Sequence, residues 1–93
     1  MWFHHIDNDQ LLCFSKVAPH RTDPILVVVN LDPHHPQEAT TGLDLWQLGL
    51  EHAGAIEAHD LLTGARFVWQ GPHNYVRLDP HVEPAHVLAL SAL

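Results

Sequence analysis

Positive charge is scarce in this sequence of 93 residues: four Lys and Arg stand against eleven Asp and Glu, a formal net charge of −7. Nucleic-acid phosphates need clustered cations, so no nucleic-acid partner is expected. The same deficit argues against docking on an anionic membrane surface. Cysteine is nearly absent. Cys13 stands alone, which precludes an internal disulfide and gives no sign of an oxidising compartment; a cytoplasmic setting is the expectation. Long apolar runs are missing too, since no stretch approaches the roughly 18 residues of a membrane-spanning helix. The opening Met1-Trp2-Phe3-His4-His5 has no basic segment followed by an apolar one, so it does not read as a signal peptide. Helical periodicity and βαβ alternation are lacking, which removes the parallel nucleotide-binding sheets and leaves no cofactor site to expect.

What is present is strand chemistry. Ile25 to Val29 is an unbroken run of β-branched and leucine residues bracketed by Pro24 and Pro33. The run is too short for a good helix, and Val and Ile lose rotamer freedom in one. With no polar side, residues 25–31 read as a central strand covered on both faces, with Val27 among the most buried residues of the molecule. Around it, Trp2 to Ile6 and Gln10 to Val17 form a hairpin across Asp7-Asn8-Asp9, and Ala18 to Asp23 form a loop. Glu38 to Leu45 alternates, placing Ala39, Thr41, Leu43 and Leu45 on one face. Asp44 is positioned to cap a single helical turn, Leu45 to Leu48, that stops at Gly49. Ala55 to Leu61 and Ala65 to Trp69 flank a tight turn at Thr63-Gly64, where Gly64 is expected at positive φ. Asn74 to Asp79 and Ala85 to Leu90 supply the last strands. The pattern predicts an all-β fold, an antiparallel β-sandwich of about seven to eight strands with one short helical turn. A chain of this size buries roughly 60–65% of its unfolded surface, enough for one core, so residues 1–93 form one domain.

Candidate chemistry is thin. Ten histidines are many, but a zinc site needs three or four converging ligands, and neighbours such as His4-His5 point to opposite faces of a strand. No metal ligand is assigned. Asp7 with Asp9, and Asp32 with Asp79, resemble carboxylate pairs, yet each sits beside a turn signal where Asp serves the backbone. Ser15 and Cys13 lie inside a strand without a nucleophile elbow, and Cys13 reads as a small buried hydrophobe. No catalytic residue is assigned. Trp46, Trp69 and Tyr75 are the candidates for a carbohydrate-stacking surface; the competing reading is that large aromatics fill the core.

Two ordered blocks carry a resemblance. The first runs from Phe3-His4 through Asp7-Asn8-Asp9, Leu12 to Lys16 and Ile25 to Pro33 into His34-His35 and Gln37-Glu38. The second runs from His59-Asp60-Leu61-Leu62-Thr63-Gly64 through Trp69 and Asn74 to Pro80 into Pro84-Ala85-His86. Together they resemble the C-terminal domain of the bacterial maltosyltransferases that extend α-1,4-glucans from maltose-1-phosphate, members of the α-amylase superfamily. The resemblance covers nearly the whole chain. It implies an accessory β domain that packs on a (β/α)8 catalytic barrel and stabilises it. The nucleophile, acid/base and phosphate-binding residues of such enzymes belong to that barrel, and no stretch here matches them. The expected partner is therefore the barrel, with an α-glucan as the ligand class of the alternative, a small carbohydrate-binding module. Trp2, Phe3 and Ile6 are the candidate docking residues, and a surface evolved for burial is expected to draw copies of the isolated chain together.

Overall fold

The computed structural model describes residues 1–17 and 24–93; the loop expected at 18–23 lies outside the described residues. The elements run β1 (Trp2–Phe3), β2 (His5–Ile6), β3 (Leu11–Lys16), β4 (Ile25–Asn30), β5 (Gln37–Gly42), α1 (Leu45–Leu48), β6 (Ile56–Asp60), β7 (Arg66–Trp69), β8 (Tyr75–Leu78) and β9 (Ala85–Ala92). Six strands form one antiparallel sheet in the order β1-β3-β4-β9-β6-β7, and three form a second, β2-β5-β8. The architecture is the expected antiparallel β-sandwich with one helical turn.

The strand count differs because the first run divides. Trp2 and Phe3 pair with Ser15 and Phe14 in the large sheet, while His5 and Ile6 pair with Gly42 and Thr41 in the small one. The chain passes from one layer to the other at His4, which is buried at the corner. Its backbone N–H still bonds the Cys13 carbonyl at 2.9 Å.

β4 is central, as its composition predicts, but only one of its faces is sealed. Leu26 and Val28 are fully buried, facing Leu88 and His86 of β9 and the interior between the sheets. Ile25, Val27 and Val29 point the other way and are only half-buried. The expectation that Val27 ranks among the most buried residues is therefore wrong. A three-stranded layer covers one side of the six-stranded one, so the run is apolar on both faces although one remains in contact with solvent. On that outer face Phe3 stands opposite Phe14, Phe14 opposite Val27, and Val27 opposite Val87. The result is an apolar row running across four strands. Towards β6 and β7 the same face becomes mixed, with Glu57 paired to Arg66, His59 beside it and Val68 exposed opposite Glu57.

The turns follow their side chains. The Asp44 carboxylate accepts the Gln47 N–H at the start of α1, and Gly49 closes it at φ 72°. Gly64 has φ 82°, as expected for the β6–β7 hairpin, and its N–H bonds the Asp60 carbonyl at 2.8 Å. Asn30, at the end of β4, ties the layers together: its Nδ2 donates to the carbonyls of Leu78 and His35, both at 3.0 Å.

Candidate functional site

Asp60 ends β6 and is completely buried. One carboxylate oxygen accepts the Leu62 N–H at 2.9 Å, which shapes the turn into Thr63-Gly64. The other lies 3.1 Å from Nδ1 of His86, on β9, and the same Nδ1 lies 3.1 Å from Oε1 of Glu83. An imidazole nitrogen between two carboxyl groups must carry the hydrogen, since neither neighbour, when ionised, can donate. Nδ1–H therefore donates.

Burial pushes the Asp60 carboxyl up, but hydrogen bonds from Glu83, the Leu62 N–H, His86 and Thr63 outweigh it and hold the group well below the usual carboxylate range. Glu83 moves the other way: burial and the hydrogen bond with Asp60 raise it. The two carboxyls thus diverge, with Asp60 kept as the anion and Glu83 the one that protonates more readily. One ligand atom from each of Asp60, Glu83 and His86 lies within 4.8 Å of the others, making these three the set among the described residues that could close on a metal ion.

The cluster borders a groove of about 370 Å³ between β7 and β8, the edge strands of the two sheets. Phe67 and Trp69 form one wall, Tyr75 and Arg77 the other, and His86 and Glu83 close the end. The Phe67 and His86 rings meet edge to face, their centroids 6.0 Å apart. The Tyr75 hydroxyl donates to Glu38 at 2.6 Å, which fixes the ring's direction.

Of the three aromatics proposed for stacking, the structure brings two together. Trp69 is buried at the floor of the groove and Tyr75 lies exposed at its rim. Trp46 sits on α1, 73% exposed, and does not line the groove. The docking candidates also separate. Phe3 belongs to the outer apolar row, packed on Phe14 with centroids 5.8 Å apart. Trp2 lies on the opposite side, over a shallow cavity lined also by Met1, Ser15, Val17 and Gln47. Ile6 is half-buried against the core.

Of the imagined carboxylate pairs, Asp32 and Asp79 serve turns, whereas Asp7 reaches across to β5. Asp32 accepts the N–H groups of His34 and His35 and the Gln37 amide, and the bond from His34 leads in holding its carboxyl below the ordinary value. Asp79 accepts from His81, and Asp7 from Thr40. Cys13 is buried, and burial pushes its thiol up to about 12.

Sequence reasoning missed Asp60, Glu83 and His86 as a unit. Asp60 and His86 are 26 residues apart and converge only because β6 and β9 pair. Both stood in the blocks of the resemblance, which was the one available signal.

Comparison with known proteins gives a consistent result. A family model described as "GLGE, C-terminal" matches residues 3–90. The chain is 53% identical over 85 residues, 91% of its length, to alpha-1,4-glucan:maltose-1-phosphate maltosyltransferase 2 of Streptomyces coelicolor, and covers 12% of that protein. It is 45% identical over 91 residues to the enzyme of that name from Corynebacterium glutamicum, covering 13% of it. The Mycolicibacterium smegmatis enzyme is 46% identical over 86 residues. The chain therefore spans about one eighth of the length of these relatives. Among the described residues, no helix is long and apolar enough to cross a membrane.

Proposed function

The chain belongs to the family of GLGE C-terminal domains, and from that premise we infer an accessory domain that packs its outer sheet face on a (β/α)8 catalytic barrel of the α-amylase superfamily. The observation that carries this reading is the unsealed apolar row Phe3, Phe14, Val27 and Val87, flanked by the polar Glu57–Arg66 pair. An apolar centre with a polar margin is the usual build of a protein interface. Inter-domain contacts within one chain bury roughly 600–1,500 Å², and four strands present a face of that order. The domain's work is to stabilise the barrel. Its relatives are bacterial maltosyltransferases, and by extension the parent transfers maltosyl units to α-glucan such as glycogen in a bacterial cytoplasm. The chain itself supplies none of the chemistry. Asp32 and Asp79 serve turns, Glu57 pairs with Arg66, and Asp60 and Glu83 are held with His86; the purified chain is expected to show no transfer from maltose-1-phosphate to glycogen above a heat-inactivated control.

A chimera tests the docking face. The chain replaces its counterpart in the Streptomyces coelicolor relative, with and without Phe3→Asp. Phe3 is 61% exposed in the isolated chain, so there the substitution should change stability by no more than about 0.5 kcal/mol. In the chimera it should lower the melting temperature of the barrel and shorten the half-life of maltosyl transfer. Equal effects in both settings, or none in either, would refute the docking of this face.

A further inference from the structure

Asp60, Glu83 and His86 have a geometry that the docking role leaves unused. His86 Nδ1 lies 3.1 Å from Asp60 Oδ2 and 3.1 Å from Glu83 Oε1, and a hydrogen bond joins the two carboxyls. Three ligand atoms from three residues thus form one small triangle. Around a tetrahedral zinc ion, bonds of about 2.0–2.2 Å set neighbouring donors about 3.3 Å apart, so the triangle accepts one after opening by about 0.2 Å. The ligands are held by separate elements. Asp60 ends β6, His86 lies on β9, and these strands pair. Glu83 comes from the segment between β8 and β9, where its N–H bonds the Asp79 carbonyl at 2.7 Å.

We propose that Asp60, Glu83 and His86 bind a zinc ion, which fastens the β8–β9 segment to β6 and β9. One imidazole nitrogen with two carboxylate oxygens is a donor set that suits zinc and lacks the all-oxygen shell of magnesium or calcium. Two carboxylates balance the charge of the ion. The loaded site is then neutral where Asp60 is completely buried and His86 is 9% exposed. Both of those ligands are aimed before the ion arrives. The other Asp60 oxygen accepts the Leu62 N–H at 2.9 Å, and the Phe67 ring stands edge to face against the imidazole. Glu83 and His86 also line the groove of about 370 Å³, which gives the ion its way in and a water the fourth coordination position. A hydrogen bond between two carboxyls requires that one keep a proton. On coordination that proton goes to solvent, and the imidazole hydrogen moves from Nδ1 to Nε2, leaving the ring neutral. The site lies away from the outer apolar row, so it stands or falls apart from the docking reading.

The 93-residue chain, stripped with a chelator, is titrated by calorimetry with zinc sulfate, and separately with magnesium and calcium. Ten histidines make adventitious zinc on the surface the competing outcome, so variants carry the assignment. One zinc per chain with a Kd of about 10 μM or tighter, and no comparable binding of magnesium or calcium, supports the proposal. The melting temperature should rise by at least about 5 °C when zinc exceeds Kd about a hundredfold. Glu83→Gln and His86→Asn should each weaken binding at least about tenfold. His34→Ala/His35→Ala, in an exposed loop, should leave it unchanged. Nitrogen-15 spectra of the imidazoles add a direct readout, in which zinc moves the His86 Nδ1 resonance. Melting curves verify the fold of each variant; Glu83 is only partly buried, so Glu83→Gln decides the matter should His86→Asn unfold. Zinc binding weaker than that limit, equal affinity in Glu83→Gln, an unmoved His86 Nδ1, or affinity lost in His34→Ala/His35→Ala would each overturn it.

Discussion

Acidification should destabilise this domain through His4, and removing His4 should abolish that part of the response. His4 sits at the corner where the chain leaves the large sheet for the small one. The Asp44 backbone N–H donates to His4 Nδ1 at 3.0 Å, and Nε2 lies 2.8 Å from the buried Ser15 hydroxyl. A nitrogen accepting from a backbone N–H carries no proton, so the imidazole is the neutral Nε2–H form and Nε2 donates to Ser15. Burial lowers the His4 pKa below 6.5, and the nearby Asp44 carboxylate opposes that shift without reversing it. The sign follows from linkage. In the unfolded chain His4 takes up a proton near 6.5, while the native corner resists it. Stability is therefore complete above that value and declines as pH falls through it towards the depressed native pKa, by at most about 1.4 kcal/mol per pH unit for one proton. Glu83, whose carboxyl is raised by burial and by Asp60, contributes with the opposite sign at lower pH, so subtraction of a variant is needed to isolate His4.

His4→Ala leaves the buried Ser15 hydroxyl and the Asp44 N–H without partners and removes packing at the corner. The Asp44 N–H can reach water because that residue is exposed, so most of the loss is at Ser15. A cost of about 2–4 kcal/mol is expected, against a total of roughly 5–14 kcal/mol for a domain of this length. Urea denaturation of both proteins at about pH 7.5, 6.5 and 5.5 measures it. Wild type should lose stability across the series more steeply than His4→Ala. Parallel pH profiles for the two proteins would refute the neutral, buried His4.

Leu26→Ala should cost about 2–5 kcal/mol while Val27→Ala costs distinctly less, because Leu26 is fully buried and Val27 is not; denaturant midpoints of the two variants decide it. Gly64→Val should destabilise by about 1–3 kcal/mol through backbone strain alone, since φ is 82° and no atom lies within 4 Å of an added Cβ; a melting temperature equal to wild type would contradict it. Cys13 should react with a thiol reagent only on unfolding, at pH 8 as at pH 7, its thiol being buried and pushed up to about 12. The isolated chain should dimerise at high concentration through the outer row, and Phe3→Asp should shift light scattering back to monomer.

The strands were legible where their chemistry was local. Asp44 and Gly49 bracket α1, Thr63-Gly64 makes the hairpin, and the Asp32-Pro33 and Asp79-Pro80 exits are both aspartate turns. What local pattern cannot carry is which layer a strand joins. Nothing in Trp2 to Ile6 announces that the run changes sheets at His4: Phe3 keeps the hairpin pairing with Phe14, but His5 pairs with Gly42, distant in sequence. The Asp60–His86 pair was hidden for the same reason.

Val27 teaches the same point from the other side. An apolar residue in an unbroken run states that its surface is to be covered, and says nothing of whether the covering comes from its own domain. Here the interior claims Leu26 and Val28, and the alternate residues Ile25, Val27 and Val29 are left half-buried. Were the small sheet the only cover selected for, these outward positions would be free to take polar residues, as the outer positions Glu57, His59 and Arg66 do on the far side of the same sheet. The change from a wholly apolar row to a mixed surface across one continuous face is the imprint expected of a neighbour that seats mainly on β1, β3, β4 and β9. The failed expectation about Val27 and the docking proposed for this domain thus share a single physical cause.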